Sequence, residues 1–169
     1  MSVIDLLAPC SGILDQVTTV ETPAALEEIR AEFLALDPND RLTLLLEFSA
    51  ELPELPPRYA EHPDLLEQVI ECQSPVFMFV ELDEHGIVHL HVTAPRESPT
   101  TRGFASILAQ GLEGLSAEQV LAVPDDYPNT IGLAKLISPL RLRGMSALLG
   151  RTKRQIREKM AEAGAEATR

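Results

Sequence analysis

The run Val76-Phe77-Met78-Phe79-Val80, continued at Leu82, carries the strongest strand signal in the chain. Its β-branched and aromatic residues suit a strand buried on at least one face. Pro75 stands immediately before it and cannot donate to a sheet ladder. Cys72 to Ser74 therefore belong to a turn at the mouth of that strand. Asp83-Glu84-His85-Gly86 reads as a hairpin turn with glycine at its end, and Ile87, Val88, Leu90 and Val92 continue as an antiparallel partner. Glu67 to Glu71 is a candidate short first strand, which gives a small antiparallel sheet of about three strands.

Helical patterns flank this sheet. Thr22-Pro23 supplies an N-cap and a first-turn proline, and Leu26, Ile29, Phe33 and Leu36 follow at helical spacing. Asp37-Pro38 repeats the start signal before Leu42, Leu45, Phe48 or Ser49, and Leu52, so two helices form a hairpin. Pro53, Pro56, Pro57 and Pro63 predict a loop over 53–66. After the sheet, Thr101-Arg102-Gly103 leads into a helix through Phe104, Ile107, Leu108 and Gly111. Ser116-Ala117-Glu118-Gln119 has the form of a capping box. Pro124 to Pro128 breaks that helix, and Ile131, Leu133, Leu136 and Ile137 predict another short one. Ser138 to Gly144 reads as a turn opening a last helix through Met145, Leu148, Leu149, Thr152, Ile156 and Met160. Helices, then strands, then helices is the pattern of an α+β fold. The expected organisation is an N-terminal extension over 1–21, one domain over 22–160, and a frayed tail over 161–169.

The formal net charge of −12 opposes sequence-independent nucleic-acid binding, which needs cations to neutralise phosphates. It equally opposes docking on anionic membranes. No apolar run approaches a bilayer span, and the N-terminus lacks the basic and apolar regions of a signal peptide. The expected location is the cytoplasm, where Cys10 and Cys72 stay reduced. His85, His89 and His91 lie close together, but no cysteine or carboxylate cluster completes a metal-ligand set, so no metal is expected.

A thiol in a turn at the rim of a rigid sheet can meet a partner while its surroundings stay fixed. The alternative is a small buried thiol that only packs. The residues around Cys72 resemble those of the SufE family of sulfur-acceptor proteins. The likeness rests on Cys72-Gln73-Ser74-x-Val76 followed by the apolar strand, and on Thr101-Arg102-Gly103 at a helix start. It extends through Leu115-Ser116-Ala117-Glu118-Gln119-Val120 and Leu136-Ile137-Ser138-Pro139-Leu140-Arg141-Leu142-Arg143-Gly144-Met145. Two stretches depart from it: Glu71 stands where the family usually has Gly or Ala, and Thr93 to Ser98 replaces a Gly-Asp-Ser-Asp-like turn.

The resemblance implies a SufE/IscU-like fold and a carrier with no cofactor of its own. Cys72 would take persulfide sulfur from a pyridoxal-phosphate-dependent cysteine desulfurase of the SufS type. It would pass that sulfur toward an iron–sulfur scaffold of the SufBCD type, stimulating the desulfurase rather than turning over alone. Gln73, Ser74, Arg102 and Arg141 are the candidate supporting or partner-binding residues. Only a thiolate is nucleophilic; an acidic Glu71 works against it, whereas Arg141 or Arg143, if brought near, would favour it. The expected thiol is inert until docking. An adaptor that regulates a desulfurase by binding alone is the competing reading. A cluster scaffold would need several ligand cysteines, and a cysteine peroxidase or protease would need a positioned base that His62 does not supply.

Overall fold

The computed structural model describes residues 22–167. The expected extension over 1–21, with Cys10, lies outside the described residues. Helix α1 spans Ala24–Ala35 and α2 spans Pro38–Ala50. Asp37 caps α2, accepting from the amides of Asn39 at 2.9 Å and Asp40 at 3.2 Å, with Pro38 in the first turn. Pro23, not Thr22, is the α1 N-cap: its carbonyl accepts from Glu27 N at 3.0 Å and no side chain caps the helix. Arg41 closes the joint by donating Nε to the carbonyls of Phe33 and Leu36 at 2.8 and 3.0 Å. Phe33 and Phe48 stack across the hairpin.

The expected loop over 53–66 contains two short helical turns, α3 (Pro57–Ala60) and a 3-10 turn at Pro63–Leu65. Proline at each start explains why they form, since a first-turn residue needs no amide donor. Strands β1 (Glu67–Gln68), β2 (Phe77–Leu82) and β3 (Val88–Thr93) make a three-stranded antiparallel sheet in the order β1-β2-β3. Met78, Val80 and Leu82 pair with Val92, Leu90 and Val88, which sets one apolar face toward the helices. At the β2–β3 turn Gly86 takes φ +74°, and Asp83 Oδ1 accepts from His85 N and Ile87 N at 2.8 and 2.9 Å.

Helix α4 (Pro99–Leu112) runs through the core, with Phe104, Ile107, Leu108 and Leu112 buried. Its contact with α2 is close. A Cβ on Gly103 would stand 2.3 Å from the carbonyl oxygen of Leu45, a clash no side chain tolerates. Helix α5 (Ala117–Ala122) opens with the expected capping box of Ser116 and Gln119. The helix expected over 131–137 is absent. A turn of helix, α6 (Tyr127–Thr130), forms earlier, with Pro128 in its first turn, and Gly132 at φ +76° stops continuation.

Helix α7 spans Pro139–Ala167. It starts before the expected turn ends, with Ser138 Oγ accepting from Arg141 N at 3.3 Å. It also continues past residue 160, where fraying is expected, because Ala and Glu dominate that segment and both favour helix. Because β1 is so short, most of the β2 edge is left without a strand partner. Gln155 of α7 fills the gap, accepting from Val80 N at 2.7 Å. No helix among the described residues is long and apolar enough to cross a membrane.

Candidate active site

Val69 and Val76 are fully buried and close the β1–β2 hairpin, with Val69 N donating to Val76 O at 2.8 Å. Between them, residues 70–75 project as a loop, and Cys72 N donates back to Val69 O at 3.1 Å. Cys72 is therefore fixed to the sheet through two buried valines. It is half-buried and, among the described residues, a free thiol.

Three contacts hold the loop. The hydroxyl of Ser74 bonds that of Ser98, the N-cap residue of α4. On the other side of the thiol, Arg151 of α7 donates three hydrogen bonds to the Glu71 carboxylate at 2.8, 2.9 and 3.0 Å. Beneath, Gly144 of α7 lies so close that a Cβ there would be 3.0 Å from Cys72 Sγ.

A pocket of about 220 Å³ opens beside the thiol. The hydroxyl-bearing residues Ser74, Ser98, Thr100 and Thr101 line it, together with the cationic Arg141. Glu97 is the opposing charge. The exposed side chain of Arg141 makes no ion pair among the described residues. Burial pushes the Cys72 thiol above its ordinary pKa; the neighbouring Glu71 charge adds to that rise, and Arg151 opposes it. Arg151 in turn holds the Glu71 carboxyl below the usual range.

Cys72, Gln73, Ser74 and Arg141 thus share one pocket. Arg102 does not line it. Its Nε donates to Ser49 O at 2.8 Å and its Nη1 to Ala94 O at 2.9 Å, which ties the end of α2 to the end of β3. Arg143 is exposed and also stands outside the pocket wall. His89 and His91, on the outer face of the sheet, bond Glu113 at 2.7 Å and Glu81 at 3.0 Å.

Sequence reasoning missed Arg151, Ser98 and the close approach of Gly144. A signal for two of them existed. Gly144 and Arg151 are about two helical turns apart and so share a helix face, and an unusual Glu71 beside the cysteine calls for a cation.

A family model described as an Fe–S metabolism associated domain, SufE, matches residues 27–156. A SufE-like protein of Mycobacterium tuberculosis is 54% identical over 136 residues, covering 80% of this chain and 94% of that protein. SufE-like protein 1 of Arabidopsis thaliana, chloroplastic/mitochondrial, is 27% identical over 130 residues, which are 76% of this chain but 34% of the plant protein. The solution structure of a hypothetical protein from Thermus thermophilus superposes with a TM-score of 0.74 at 38% identity, covering 83% of this chain and 99% of that one. With a cysteine-bearing hairpin over the start of α7, and with these relatives, the chain belongs to the SufE family and has a role in Fe–S metabolism.

Proposed function

We propose that this protein is a sulfur carrier in which Cys72 accepts persulfide sulfur from a cysteine desulfurase. The observation that supports it most is the half-buried Cys72 thiol at a hairpin tip, beside a pocket lined by hydroxyl-bearing residues and Arg141. The Cys72 thiolate attacks the outer sulfur of the partner's Cys–S–SH. The S–S bond within the partner breaks, the partner's thiolate leaves, and Cys72–S–SH forms. One sulfur atom moves and the proton lost from Cys72 returns to the medium or to the leaving thiolate, so no external oxidant is required. Arg141 and the hydroxyls of Thr100 and Thr101 offer donors to the anionic outer sulfur while it is carried. Gln73 is exposed at the loop tip, and on this reading it meets the partner. Arg102, held by backbone carbonyls, is assigned to the framework.

The donor on this reading is a SufS-type desulfurase, the recipient a SufBCD-type scaffold, and the setting the cytoplasm. A Cys72→Ser variant tests it. A carrier loses stimulation of the desulfurase while still docking, whereas a binding-only adaptor stimulates as before.

A further inference from the structure

The bond between Glu71 and Arg151 is part of a network that runs from the loop to the sheet. Nε and Nη2 of Arg151 engage both carboxylate oxygens of Glu71, the bidentate geometry that gives such pairs their directionality. Nη1 of the same guanidinium bonds Glu67 on β1. Glu67 is itself held by Arg154 and by Gln155 Nε2 at 2.8 Å. The Arg151 side chain is 19% exposed and that of Glu71 43%, so the pair is set from the helix side and wet on the loop side. It joins the residue next to the thiol to the helix that forms the floor under the thiol.

We propose that the Glu71–Arg151 pair is a latch that keeps the hairpin tip, and Cys72 with it, down against Gly144, and that Cys72 gains reactivity when the latch opens. The biological use of the latch rests on the carrier reading; its existence does not. Two tethers flank the sulfur: Ser74 to Ser98 on one side, and Glu71 to Arg151 on the other. Releasing the second frees the segment 70–73, whose remaining anchor is the Cys72 amide on Val69 O. Ile70 in the same segment is 73% exposed and adds no packing that would hold the tip down. Arg151 is thereby a positioning residue, acting on the sulfur through Glu71.

The sign of the effect separates a latch from simple electrostatics. The charges facing the thiol are Glu71 on its own loop, Glu97 before α4, and Arg141 and Arg151 on α7. Removing Arg151 leaves Glu71 unopposed, which by charge alone raises the thiol pKa and slows alkylation. Opening a latch exposes the sulfur and speeds it.

The test is the rate of iodoacetamide alkylation at neutral pH in a Cys10→Ser background. Arg151→Met is expected to react about two- to fivefold faster than the parent, the range an exposed pair's coupling allows. Arg151→Lys, which keeps a cation facing Glu71 and Glu67, is expected to stay closer to the parental rate. Slower or unchanged alkylation of a folded Arg151→Met protein overturns the latch. Should that variant not fold, amide hydrogen exchange over 70–74 in Glu71→Ala decides: faster exchange supports the latch and unchanged exchange overturns it. Sulfur uptake by the unaltered protein, measured separately, tests the carrier reading whichever way the latch falls.

Discussion

The sulfur of Cys72 lies tight against Gly144: a Cβ there would stand 3.0 Å from Sγ, closer than ordinary van der Waals contact, and 3.6 Å from the Cys72 Cα. Glycine at this point of α7 lets the helix serve as the floor of the site. Gly144→Ala adds one methyl group against the thiol. The helix gains about 1 kcal/mol from the better propensity of alanine, while crowding costs about 1–3 kcal/mol. The urea midpoint should therefore fall slightly, and alkylation of Cys72 should quicken as the sulfur is turned outward. Alkylation slowed by the added methyl would show that the floor yields instead of the loop.

The thiol should be a reluctant acid. Burial and Glu71 both raise its pKa, and Arg151 only partly offsets them. A raised pKa means less thiolate at a given pH, so in a Cys10→Ser background the ultraviolet absorbance of the thiolate should titrate with a midpoint above the ordinary value of about 8.5. Glu71→Gln removes the anion and should lower that midpoint. A midpoint at or below the ordinary value in the parent protein would contradict the burial seen for Cys72.

Arg102 should matter for stability and not for the thiol. Its guanidinium satisfies the carbonyls of Ser49 and Ala94, groups that Met at this position cannot bond. Arg102→Met should cost about 1–3 kcal/mol in urea unfolding, the range for polar groups left unsatisfied. The Cys72 alkylation rate should stay as it was. A stable variant with lost desulfurase binding would return Arg102 to the partner surface.

What was legible in the sequence followed from local chemistry. Pro75 and the apolar run after it placed Cys72 in a turn ahead of β2, and that reading survives as the hairpin tip. Asp37-Pro38 and Ser116-x-x-Gln119 marked helix starts because their side chains bond amides only two or three residues away. Arg151 was not legible in the same way, since its partner Glu71 is 80 residues distant and a charged helix face usually points to water. The carbonyls that hold Arg102 were equally out of reach of local pattern, since Ser49 lies 53 residues away. The helix expected over 131–137 failed because apolar spacing outweighed Gly132, whose φ of +76° ends α6.

Intact-mass analysis after incubation with a cysteine desulfurase and cysteine reads the carrier chemistry at the atom concerned. The protein should gain the mass of one sulfur atom, localised by peptide mapping to Cys72, lost on reduction and absent from Cys72→Ser. No gain despite demonstrated docking, or a gain confined to Cys10, would contradict it.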